Sequence, residues 1–122
     1  MTRVFSLCLA LLALGSPSYA ATVTQPGSLT LVPLAVSTVT TGGTAVTALT
    51  AGQRSAGGWL QNPWSATVNL CISEVDNATG TTSAGNTTCI VPGQGYNLTP
   101  SPQAVTVVSS DSAHPFSGYG LK

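Results

Sequence analysis

Ala66-Thr67-Val68-Asn69-Leu70-Cys71-Ile72-Ser73 alternates without a break, placing Ala66, Val68, Leu70 and Ile72 on one face and Thr67, Asn69, Cys71 and Ser73 on the other. A period of two marks a half-buried β-strand. Thr87-Thr88-Cys89-Ile90-Val91 has the same period, and Glu74 to Asn86 between the two runs is rich in Asp, Asn, Thr, Ser and Gly, which is loop composition. If the runs pair antiparallel with Cys71 opposite Cys89, Leu70 falls opposite Ile90 on the apolar face and Ser73 opposite Thr87 on the polar one. One register then satisfies both a disulfide and the hydrophobic pattern.

The N-terminal end predicts the compartment. Arg3 supplies a positive n-region, Val4 to Leu14 an apolar h-region, and Ser18-Tyr19-Ala20 a small-x-small site, so residues 1–20 read as a helical signal peptide cleaved near Ala20. The apolar run is shorter than the roughly 20 residues a membrane span needs. The expectation is a secreted or periplasmic chain with no membrane association once the signal is removed. Residues 21–28, with Gln25-Pro26-Gly27, are expected as a flexible arm, and 29–122 as a single domain. A chain of that size buries only about 60–65% of the surface it exposes unfolded, so a crosslink matters. Cys8 leaves with the signal, and the remaining pair in an exported chain is expected to be structural rather than redox-active or metal-bound.

Charge is scarce. Past residue 20 the ionisable side chains besides tyrosines and His114 are Arg54, Glu74, Asp76, Asp111 and Lys122, where an average domain would have about a quarter of its residues charged. Without a basic patch there is no footprint for nucleic acid and no polybasic segment for anionic lipid. Thr, Ser, Gly and Asn make up the polar surface instead. Such a surface puts few electrostatic obstacles in the way of packing against like subunits, and a protein partner or self-assembly is the expected kind of interaction.

Leu29 to Val32 runs into Pro33, which cannot donate to a ladder, so an edge strand or a lead-in is expected there. Leu34 to Thr40 and Thr44 to Thr50 read as a hairpin turning at Gly42-Gly43, with Val39 opposite Val46 and Val36 opposite Leu49. Further runs are Trp59-Leu60-Gln61, ended by Asn62-Pro63; Tyr96-Asn97-Leu98; Ala104 to Ser109; and His114 to Leu121, with Phe116, Tyr119 and Leu121 available for the core. Seven or eight short β runs punctuated by Gly and Pro predict an all-β fold, a small antiparallel sandwich or barrel. An immunoglobulin framework would space its cysteines more widely around a Trp, whereas Trp59 and Trp64 both precede Cys71. The disulfide is therefore expected within one sheet.

Asp111, His114 and the neighbouring serines are the only groups that suggest a catalytic triad. The chain has one histidine, no Gly-x-Ser-x-Gly elbow, and Ser109, Ser110 and Ser112 too near His114 in sequence. No catalytic residue is assigned, and His114 before Pro115 reads as a turn residue leading into the last strand. No zinc set, other metal site or cofactor is expected. Glu74-Val75-Asp76-Asn77-Ala78-Thr79-Gly80 gathers oxygen ligands but lacks EF-hand spacing, and a solvated hairpin loop is the expectation. Trp59, Trp64, Tyr96 and Tyr119 could present an aromatic platform, because a flat apolar ring with a polar rim suits a sugar as well as a core, and Trp59, Trp64 and Tyr96 are the candidate ligand- or partner-binding residues.

Val39-Thr40-Thr41-Gly42-Gly43-Thr44-Ala45-Val46, Gly57-Gly58-Trp59-Leu60-Gln61-Asn62-Pro63 and the ending His114-Pro115-Phe116-Ser117-Gly118-Tyr119 resemble stretches of small all-β proteins of tailed bacteriophages and prophages, found among virion structural genes. The resemblance covers most of the chain after the signal and implies a non-enzymatic β module. Taken together, the expected function is a structural or interaction module of a surface or phage-derived assembly, with a carbohydrate-binding module as the alternative.

Overall fold

A computed structural model of the chain describes residues 27–75 and 85–122. The expected signal peptide, most of the expected arm and most of the loop after Glu74 lie outside the described residues. Ten strands follow in order: β1 (Leu31–Pro33), β2 (Thr38–Val39), β3 (Val46–Leu49), β4 (Gly57–Gln61), β5 (Leu70–Ser73), β6 (Thr87–Ile90), β7 (Gly95–Leu98), β8 (Val105–Val108), β9 (His114–Pro115) and β10 (Ser117–Leu121). They form two four-stranded sheets, ordered β1-β10-β4-β7 and β3-β8-β5-β6, and a two-stranded ladder of β2 with β9. Every pairing is antiparallel. Leu60 and Leu98 from the first sheet meet Leu49, Leu70, Ile72, Ile90, Val105 and Val107 from the second, with Val39 and Phe116 closing the core. The architecture is a small β-sandwich.

The cystine hairpin has the register its sequence demands: Leu70 opposite Ile90, Cys71 opposite Cys89 and Ser73 opposite Thr87. The disulfide joins two neighbouring strands of one sheet across a sequence separation of 18. Two features differ from expectation. The strand begins only at Leu70, because Ala66 donates its N–H to the Pro63 carbonyl and the chain before it is folded into a turn. β5 is also flanked by β8 on its other side and is buried on both faces, with Cys71 and Val108 in a second apolar cluster. A central strand has no free side on which polar alternation would report solvent.

The hairpin expected at Gly42-Gly43 does not form, although the turn does. Thr44 donates to the Thr41 carbonyl at 3.1 Å, and of the two glycines only Gly43 has a positive φ, 75°. Positive φ at the second central position alone is the type II pattern, which splays strands where a primed turn would align them. β2 accordingly pairs with β9, Val39 opposite His114, and β3 pairs with β8, Val46 opposite Val107. The turn instead docks on the 109–112 corner. Gly42 N–H donates to Ser112 Oγ at 2.9 Å and Gly43 N–H to the Ser109 carbonyl at 2.7 Å, and a Cβ on Gly42 would collide with the Ser110 carbonyl.

The last run is one extended segment that bends at Phe116 and serves both ladders. Phe116 N–H donates to Ser37, and further on Thr30 and Lys122 exchange two hydrogen bonds. Between those contacts the partner segment kinks after Pro33, and Ala35 N–H reaches the Ala48 carbonyl of β3, tying the edges of the two sheets together.

Each end of β4 is closed by a buried polar side chain. Arg54, just before it, is 1% exposed. Its Nε donates to the Gln103 carbonyl at 3.1 Å, one terminal nitrogen to the Thr99 carbonyl and to Glu74 Oε2 at 3.2 Å, and the other to the Glu74 carbonyl at 2.5 Å. Glu74 also accepts from Thr99 N–H at 3.1 Å. Asn62, just after β4, is fully buried and its Nδ2 donates to the carbonyls of Val68 and Ile90.

Two stability measurements follow from these contacts. Replacing both cysteines by Ala should lower the unfolding free energy by about 3 kcal/mol in a denaturant titration, the entropy returned to the unfolded chain by opening a loop of this length. Arg54→Met should cost about 3–5 kcal/mol, because it leaves three carbonyls without the buried donors that serve them and the Glu74 carboxylate, 16% exposed, without its cation. An Arg54→Met variant with a wild-type midpoint would mean that Glu74 reaches water.

Candidate functional site

Alternation sorts the side chains of the first sheet. On its inner face Leu60 lies between Gly118 and Tyr96, and Gly58 between Gly120 and Leu98. On its outer face the register lines up Pro33, Tyr119, Trp59 and Asn97 in one row, with Ser117, Gln61 and Gly95 in the next. Trp59 and Tyr119 are cross-strand neighbours, their ring centroids 6.2 Å apart and their planes tilted by 34°. Such pairs add about 0.5–1.5 kcal/mol beyond area burial and hold both rings in place.

The tryptophans rest on glycines. A Cβ on Gly95 would stand 2.6 Å from Trp59 Nε1, so the absence of a side chain there makes room for the indole. Trp64 follows Asn62-Pro63, and its ring lies on Gly93, the positive-φ position of the Val91–Gln94 turn, where any Cβ would collide with it. Asn62 places it, because the Asn62 backbone exchanges hydrogen bonds with Gly93 and Gln94. Despite that seat, Trp64 is 82% exposed. Both indoles thus lie on the segment from Gly93 to Gly95.

Of the three aromatic residues singled out from sequence, the structure brings Trp59 and Trp64 to one stretch of surface and turns Tyr96 away. Tyr96 points inward and packs on the core. Burial first, and then the Glu74 carboxylate beside it, raise its phenol above the ordinary range. Its place on the outer face is taken by Tyr119, which is 38% exposed and which the sequence offered both for the core and for an aromatic platform. The outer rows contain no ionisable group besides that phenol. A neutral surface of two adjacent, mutually tilted rings flanked by the amides of Gln61 and Asn97 and the hydroxyl of Ser117 can hold a flat, uncharged, hydroxylated ligand or a complementary protein patch.

The groups that suggested a triad go to different partners. Ser109 Oγ donates to the Asp111 carbonyl at 2.9 Å, and the Asp111 carboxylate accepts from the Thr67 hydroxyl at 3.2 Å. His114 is 4% exposed, buried in the ladder with β2 rather than sitting in an open turn. Both Asn62 amide hydrogens are engaged, so Asn62 Oδ1 must accept, and His114 Nε2 donates to it at 3.0 Å. Burial lowers the His114 pKa, opposed in part by Asp111. Glu74, the first ligand of the notional calcium loop, is held by Arg54 and Thr99, and Asp76 lies outside the described residues. No cluster of three or more metal-ligating side chains occurs among the described residues. Compared with known families, curated proteins and solved structures, the chain matches none.

The burial of His114 sets a pH dependence. Because the folded His114 pKa lies below the free value of about 6.5, the unfolded chain binds more protons below that pH, and stability falls as pH drops from there toward the folded value. Urea midpoints at about pH 7.5 and about pH 5.5 should differ in the wild type, and His114→Gln should remove that difference. Equal wild-type midpoints would mean that the imidazolium is accommodated in the fold.

Proposed function

We propose that the protein is an exported, non-catalytic interaction module, part of a surface or phage-derived assembly, whose working surface is the outer face of the β1-β10-β4-β7 sheet. The observation that carries this reading is the placement of Trp59 beside Tyr119, with a largely exposed Trp64 seated on Gly93, on a face without charge. An exposed Trp on a rigid seat is an interaction anchor: it offers a large contact area at little cost in conformational freedom. Export is supported by the cystine, which belongs to an oxidising compartment, and by the signal-like pattern of residues 1–20.

A second reading, carbohydrate binding, is favoured by Gln61, Asn97 and Ser117 beside the rings, since sugars present apolar ring faces together with hydroxyls. The two readings separate in one set of experiments. Protein purified from its native compartment should lack residues 1–20, carry the disulfide and run in native mass spectrometry as a complex that Trp64→Ala weakens at least tenfold while leaving the melting temperature in place. A complex indifferent to Trp64→Ala and to Trp59→Ala would overturn the assignment of the face. A change in tryptophan fluorescence on titration with soluble neutral glycans, abolished by Trp59→Ala, would instead select the carbohydrate reading.

A further inference from the structure

β7 is an edge strand, and among the described residues no strand pairs with its outer side. In an antiparallel ladder, residues alternate between those bonded to the neighbour and those facing away. Asn62 N–H donates to the Gln94 carbonyl at 3.0 Å, and this contact sets the phase. Tyr96 and Leu98 therefore bond to Leu60 and Gly58 of β4, while Gly95 and Asn97 turn their N–H and C=O groups to the outside. Both residues are exposed.

The other edges are managed. β1 has Pro33, which offers no donor, and β3 receives Ala35 N–H at the Ala48 carbonyl. On β6, the Ile90 carbonyl accepts from the Asn62 amide. β7 has none of the usual protections: no proline, no lysine or other charge, and no bulge in its register. Its ends are closed, since Gln94 Oε1 accepts from Val91 N–H and Glu74 accepts from Thr99 N–H. The open stretch is thus limited to the residues from Gly95 to Asn97.

We infer that two copies associate through β7 about a two-fold axis at Tyr96, with Gly95 of each opposite Asn97 of the other. That register matches outward donors to outward acceptors in both directions, giving four backbone hydrogen bonds from an isologous contact. The axis stands perpendicular to the sheet, so the two four-stranded sheets join into one of eight, and their outer faces lie on the same side. With no ionisable side chain on the open stretch, nothing repels the second copy. The contact is short, so the dimer is concentration-dependent.

Sedimentation equilibrium and amide hydrogen exchange on the full oxidised protein test this. A monomer–dimer equilibrium is expected, with the Gly95 and Asn97 amides becoming protected as concentration rises. Asn97→Pro removes one outward donor without touching the bonds to β4, and it should weaken the dimer at least tenfold, while Asn97→Ala, which keeps the N–H, should not. A monomer at every concentration, or a dimer whose Gly95 and Asn97 amides exchange as fast as in dilute protein, overturns the proposal, and the exchange measurement needs no variant to fold. A dimer lost in Trp64→Ala but unchanged in Asn97→Pro would show association through the aromatic face and would likewise overturn it.

Discussion

The Arg54 guanidinium holds three connections at once: the turn it belongs to, the segment from Thr99 to Gln103, and the start of the loop that follows β5. A buried cation is costly unless its charge is matched and its donors are occupied. Here Glu74 supplies the charge and three carbonyls take donors, while Glu74 is itself bonded by Thr99 N–H. At the opposite end of β4, Asn62 does the same with a neutral amide, joining Val68, Ile90 and His114. Short strands leave a sandwich with open ends, and these two side chains satisfy the backbone groups that would otherwise face the core without partners. Among the described residues no buried side-chain nitrogen or oxygen lacks a partner.

This arrangement has a cost at the surface. Arg54 is one of only three Lys and Arg residues in the whole chain, and the fold buries it against a Glu74 that is itself mostly covered. What remains outside the first sheet is Trp, Tyr, Leu, Pro, Gln, Asn, Ser and Gly. Charged gatekeepers are the usual means by which β proteins keep their edges and flat faces apart. A chain that uses its few charges to close the sandwich ends has none left for β7 or for the Trp59–Tyr119 face.

The legible parts of the sequence were those where two independent constraints fell on the same residues. The Cys71–Cys89 register is one, because the crosslink and the alternation require the same pairing. The edge position of Pro33 is another, since the missing donor acts locally. The Gly42-Gly43 hairpin misled because composition cannot tell a type II turn from a primed one, and the contact that decides, with Ser109, Ser110 and Ser112, is made by residues far along the chain. Asn62 and His114 precede prolines and Arg54 lies in a stretch bounded by Gly52 and Gly57, all of which have the look of solvated turns, yet all three residues are buried. Burial of a loop residue depends on which strands end beside it, and that follows from topology. The exchange of Tyr96 for Tyr119 has the same origin: each tyrosine takes its face from its partner on β4, Leu60 for one and Trp59 for the other.

The free edge and the aromatic face are one feature. Trp59 and Trp64 lie over Gly95 and Gly93, and a larger residue at either position would displace an indole. The same missing side chains leave the backbone at Gly95 open to a neighbouring strand and keep β7 narrow at its rim. Two sheets joined there bring two copies of the ring pair onto one surface, and a repetitive partner, whether a polymer or an ordered array of subunits, would then engage both. The second contact would form at the effective concentration set by the first, so that a weak face would give a firm attachment without any new residue. Weak association at the edge would thereby serve the weak affinity of the face, and a small domain with few charges could hold a large, regular target.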